Sequence, residues 1–84
     1  MACILTPDDL ADLPRGAPVW EEWRYGTNAQ EMIKTRTKYN AKGGRLIYGR
    51  YTGQHGQITF TDDPDFRYWD AEPTQEERRM TPWP

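Results

Sequence analysis

Residues 32–39, MIKTRTKY, decide the fold. Read with a period of two, they place Ile33, Thr35, Thr37 and Tyr39 on one face and Lys34, Arg36 and Lys38 on the other. β-Branched residues in that alternation favour a strand. The surrounding segment TNAQEMIKTRTKYNAKGG also carries helix signals: Asn28 suits an N-cap, Glu31 its capping partner, and Gly43 a C-terminus. Over residues 28–42 the strand reading is preferred, and the helix stays open as the alternative.

Register supports the strand. The following stretch, GRLIYGRYTGQHGQITF (residues 44–60), reads as two strands around a glycine-bracketed turn. A turn centred on Lys42 pairs Thr37 with Ile47, Thr35 with Gly49 and Ile33 with Tyr51. A second hairpin, centred between Gln54 and His55, pairs Tyr51 with Ile58 and Gly49 with Phe60. Both send Ile33, Ile47, Tyr51, Ile58 and Phe60 to one face, the expected core. Slipping either pairing by one residue would bring charges into that face. Gly49 opposite Phe60 suits a bend where an aromatic ring covers a glycine. The other face then carries Lys34, Arg36, Lys38, Tyr48 and Arg50, a cationic outer plate, with Thr59 beside Arg50.

Working outward, LTPDDLADLPRG (residues 5–16) predicts a short helix with Thr6 as N-cap, Pro7 at the first helical position, Leu10 and Leu13 inward, and a stop at Pro14-Arg15-Gly16. APVWEEWRYG (residues 17–26) reads as a strand broken at Gly26, and TDDPD (residues 61–65) as a turn. FRYWDA (residues 66–71) reads as a last strand with Phe66 and Tyr68 alternating against Arg67 and Trp69. In PTQEERRM, Thr74 and Glu77 form a capping box for a helical turn or two. The sum is one small domain over residues 1–84, mainly β, built as an SH3-like barrel of four to five antiparallel strands with a short helix at each end.

Few residues are Leu, Ile or Val, but four Trp, five Tyr and two Phe are available to replace them in the core. Such a thin core fits a domain helped by self-association, a homo-oligomer. The single Cys3 excludes an internal disulfide and is expected to be a small buried residue. The N-terminus MACILTPDDL has neither a basic region nor a long apolar run, so a cytoplasmic protein with no membrane partner is expected. Net charge is −2. Residues 1–22 carry four net negative charges, residues 23–61 six net positive, and residues 62–84 four net negative. A basic centre between acidic ends suggests either an anion site or ends that neutralise the middle.

Two segments carry a resemblance. LPRGAPVW resembles the entry into the first strand of small SH3-like proteins. FRYWDAEPTQEERRMTPW is similar to the closing segment of small proteins encoded in bacteriophages and prophages, and together the two cover about a third of the chain. The resemblance implies phage origin and an accessory role in an infected bacterial host, and it transfers no catalytic residue.

Catalysis is not expected. The chain has no serine and only one histidine, His55, read as a solvated residue at a hairpin tip, so neither a Ser-His triad nor a paired-histidine site is available. DDPD is read as a turn and not as a metal site, and no cofactor is implied. The candidate chemistry is binding of an anion that carries a flat ring. Arginine offers bidentate donors to phosphate, and aromatic rings offer stacking faces. The candidate ligand-binding residues are Trp20, Arg24, Tyr25, Lys34, Arg36, Tyr48 and Arg50. Acidic flanks disfavour long nucleic acid, whereas a small nucleotide needs only two or three cations and a ring. The favoured reading is a phage-encoded protein that sequesters a small nucleotide as an immune-signal sponge. The alternative is a protein-binding module that presents aromatics such as Trp20, Tyr25 and Trp69 and inhibits a host enzyme or defence complex by contact.

Overall fold

The computed structural model describes residues 1–83; Pro84, the last residue of the expected domain, lies outside them. In chain order the elements are β1 (Ile4–Leu5), α1 (Pro7–Asp12), β2 (Pro18–Trp23), β3 (Gln30–Tyr39), β4 (Arg45–Tyr51), β5 (Ile58–Thr59), β6 (Phe66–Trp69) and α2 (Gln75–Met80). Residues 30–39 are therefore strand. The six strands form one antiparallel sheet in the order β1-β6-β2-β3-β4-β5. Expectation and structure differ in two respects. Among the described residues there are six strands where four to five were expected, because Ile4 and Leu5 pair with Trp69 and Tyr68 as an extra edge. The sheet is also unclosed among the described residues, with β1 and β5 as its edges. It nevertheless curls, since Phe60 beyond β5 meets Tyr68 of β6 edge to face at 4.9 Å between centroids.

Both helices are built by local chemistry. The Thr6 hydroxyl accepts from the Asp9 backbone N–H while the Asp9 carboxylate accepts from the Thr6 N–H, a full capping box, and Pro7 opens the first turn. Thr74 and Glu77 repeat the arrangement at α2. In the β3–β4 turn, the Asn40 side-chain oxygen accepts from the N–H groups of Lys42 and Gly44, and Gly43 takes the left-handed φ of 82°.

The β3–β4 register follows expectation at its turn end, where Thr37 pairs with Ile47, and then departs from it. A β-bulge between Lys34 and Arg36 shifts the rest by one residue, so that Lys34 pairs with Gly49 and Met32 with Tyr51. The core face of β3 is thus Met32, Lys34 and Thr37, an uneven spacing that only an inserted residue permits. Met32, not Ile33, enters the core, which comprises Leu10, Ala11, Val19, Met32, Ile47 and Tyr68 with Leu5, Leu13, Tyr51, Ile58 and Phe60 packed against it. The β4–β5 pairing is displaced by two residues, with Gly49 opposite Ile58 and Tyr48 opposite Thr59, which preserves parity. Phe60 still covers Gly49. A Cβ there would lie 2.7 Å from the ring and 3.0 Å from the Ile33 carbonyl oxygen.

The slip does bring a charge into the core. Lys34 is only 2 % exposed, and its ammonium donates to the carbonyls of Leu10 (2.7 Å), Ala11 (3.1 Å) and Leu13 (2.9 Å). Those carbonyls lie at the end of α1, where the helix supplies few donors: that of Leu10 accepts a long 3.4 Å bond from the Leu13 N–H. Thr37 adds a second bond to Ala11 at 3.0 Å. The bulge thus lets one strand fasten the whole C-terminal end of α1. Cys3, expected inside, is exposed, because its backbone pairs with Asp70 at the sheet edge and leaves the side chain free.

Candidate functional site

On the outer face of β3 and β4, Arg36 stands opposite Tyr48 and its guanidinium lies 5.0 Å from the ring centroid, a cation–π stack. Arg50 stands on the same face opposite Ile33, and its guanidinium donates to the Gln54 carbonyl at 3.3 Å. Thr59 adjoins Tyr48 and not Arg50, because of the displaced β5. Among the described residues neither Arg36 nor Arg50 is in an ion pair. Arg36 is exposed, and Tyr48 and Arg50 are half-buried. This is the part of the expected plate that the fold assembles.

The other expected residues go elsewhere. Lys34 leaves the plate for the core, as the bulge requires, and burial pushes its ammonium below the ordinary range against the opposing pull of Asp12. It is not available to a ligand on the outer face. Trp20 lies on the outer face, directly opposite Glu31 on β3 and Trp69 on β6, at the margin of the plate. Arg24 lies past the end of β2. Its backbone bonds to Asp65, and its guanidinium is 3.9 Å from the Asp65 carboxylate and 5.9 Å from the Trp83 ring. Tyr25 is 67 % exposed and meets Trp23 edge-on at 5.5 Å. Trp69, expected to be presented to a partner, is buried.

What covers Trp69 was not legible in sequence. Glu22, only 3 % exposed, accepts from Arg67 Nε at 2.6 Å, from Arg78 Nε at 2.9 Å and from the Trp69 indole at 2.8 Å. Arg67 also donates to the carbonyls of Thr81 and Arg78, and is sandwiched between Trp69 at 5.1 Å and Trp83 at 4.2 Å. Arg78 reaches the carbonyls of Gly26 and Thr27. Burial works to raise the Glu22 carboxyl, but the hydrogen bonds from Arg67, Arg78 and Trp69 outweigh it and hold the group below the usual carboxylate range. The clamp binds the C-terminal segment to β6 and β2, on the same face of the sheet as Arg36 and Tyr48 but away from them.

Glu21, on the opposite side of β2, accepts from the hydroxyls of Tyr51 (2.6 Å) and Tyr68 (3.1 Å). Burial, reinforced by the Glu21 carboxylate, pushes the Tyr51 phenol up to about 12 and raises that of Tyr68 as well. The unclosed seam of the sheet holds a cleft of about 360 Å³ whose apolar lining includes Ile4, Leu5, Leu10, Phe66, Pro82 and Trp83. No group of three His, Cys, Asp or Glu among the described residues is placed to hold a metal ion, and no helix is long and apolar enough to cross a membrane. No family model, curated protein or solved structure matches this chain.

Proposed function

We propose that this chain is a non-catalytic binding protein that sequesters a small nucleotide on the outer face of β3 and β4. The observation that supports it is the unpaired array of Arg36, Tyr48 and Arg50, one ring with a guanidinium stacked upon it and a second on the same face. The guanidinium groups supply phosphate donors and the Tyr48 ring a face for a base, with Trp20 at the margin. The acidic ends of the chain restrict the ligand to one with few phosphates. In the phage setting that the sequence resembles, the ligand is an immune-signal nucleotide and the protein an anti-defence sponge in the host cytoplasm. A homo-oligomer of curled, barrel-like subunits would bring two such plates together.

Thermal denaturation against cyclic dinucleotides, cyclic ADP-ribose isomers and plain nucleotides tests this reading. A ligand at about one hundred times its Kd stabilises the folded state by about 2.7 kcal/mol. One nucleotide raises the midpoint selectively, and Arg36→Ala, Arg50→Ala and Tyr48→Ala each abolish the shift. A flat panel with a folded protein contradicts it. The apolar seam cleft favours the second reading, a module that inhibits a host protein by contact. In that case substitutions at the seam, and not on the plate, abolish partner binding.

A further inference from the structure

Glu21 is 8 % exposed and no ion pair reaches it among the described residues. A buried carboxylate is ordinarily paired with a cation, because burial of an uncompensated charge is costly. A carboxylate also has about four acceptor positions, and the two tyrosine hydroxyls occupy one on each oxygen. Glu21 lines a cleft of about 450 Å³, within the range of small-molecule sites, together with Trp23, Gly26, Asn28, Tyr51 and Phe66. An adjoining groove is lined by Gln30, Glu31, Tyr51, Thr52 and Gln54, and no Lys or Arg lines either. Three aromatic rings around a buried carboxylate suit a cation, through its charge and through the negative faces of the rings. The rim is held in advance, since Arg78 bonds to the carbonyls of Gly26 and Thr27 and Tyr25 abuts Trp23.

We propose that this cleft binds a small organic cation, an ammonium or guanidinium head on a short apolar stem, with Glu21 as its counter-ion and Trp23, Tyr51 and Phe66 as its walls. The head completes the pairing that Glu21 lacks, and the stem lies along the rings. The site lies on the opposite face of the sheet from Arg36 and Tyr48, so it is independent of the nucleotide reading.

Amide NMR spectra of the full chain, titrated with n-butylammonium, ethylguanidinium and N-acetyl-arginine-amide, test the proposal, with n-butanol as the uncharged control. The cations produce saturable shifts confined to the amides of Gly26, Thr27, Asn28 and Gln30 and their neighbours, and n-butanol does not. Glu21→Gln weakens the affinity at least tenfold, and Arg36→Ala leaves it unchanged. Trp23 is 47 % exposed, so Trp23→Ala keeps the fold and weakens binding several-fold, which supplies a second variant if Glu21→Gln does not fold. Tighter binding of the blocked arginine assigns the head to a protein side chain, and tighter binding of the free cations assigns it to a soluble amine. Either upholds the site. Absence of saturable shifts, equal shifts with n-butanol, or undiminished affinity in both Glu21→Gln and Trp23→Ala overturns it.

Discussion

Glu21 and Glu22 are adjacent in the chain, equally buried to within a few per cent, and opposite in circumstance. Strand alternation sends Glu22 to the outer face, where two arginines and an indole take three of its acceptor positions and the C-terminal segment closes over it. It sends Glu21 to the inner face, where two phenols bond to it and a cleft lies beside it. The first carboxylate is committed to the fold. The second carries two bonds to phenols, has no cation partner among the described residues, and lines a cleft. Burial alone does not distinguish a structural charge from a functional one; the inventory of its partners does.

The largest loss of stability is expected at the arginines around Glu22. Arg67→Ala strips Glu22 of its closest partner and removes the guanidinium from between two tryptophans. We expect a loss of about 3–5 kcal/mol in urea unfolding, with the tail beyond Thr74 becoming sensitive to protease. On the inner face, Lys34→Met keeps most of the volume but removes the ammonium's bonds to the carbonyls of Leu10, Ala11 and Leu13, at a cost of about 1–3 kcal/mol by the same measurement. Tyr51→Phe removes one hydroxyl from Glu21 while Tyr68 remains, and costs about 1 kcal/mol.

Acid sharpens the same contrast. The Glu22 carboxyl is held below its ordinary value of 4.5, so the unfolded chain takes up its proton first. The stability this provides is complete above that value and is lost as pH falls through the lower, folded one. Stability measured between pH 6 and pH 2 therefore declines with a slope that Glu22→Gln reduces.

Local chemistry was legible in the sequence. Thr6 as N-cap before Pro7, and the Thr74–Glu77 capping box, identify both helices because such signals need only a few consecutive residues; the Asp9 half of the first box comes from the structure. The Lys42-centred turn sets the pairing of Thr37 with Ile47 and of Arg36 with Tyr48, and Arg50 shares the face of Tyr48 by simple alternation along β4. The bulge itself was not legible. It depends on Lys34 finding the end of α1, more than twenty residues earlier, and alternation by itself assigns a lysine to solvent. Glu21 and Glu22 were obscured for the same reason, since their partners lie 30 to 56 residues away. Two residues are too few for β1 to declare itself by pattern, and without β1 the edge position of Cys3 could not be read.

The most direct test of the account compares Glu22→Gln with Glu21→Gln in urea unfolding at neutral pH, in the absence of any added cation. We expect Glu22→Gln to lose about 3–5 kcal/mol, because two largely covered arginines are left without their counter-ion. Glu21→Gln, which retains an acceptor for its tyrosines and strands no cation, should change stability by about 1 kcal/mol or less. Equal losses, or a larger loss at Glu21, would contradict the division of β2 into a structural carboxylate and an available one.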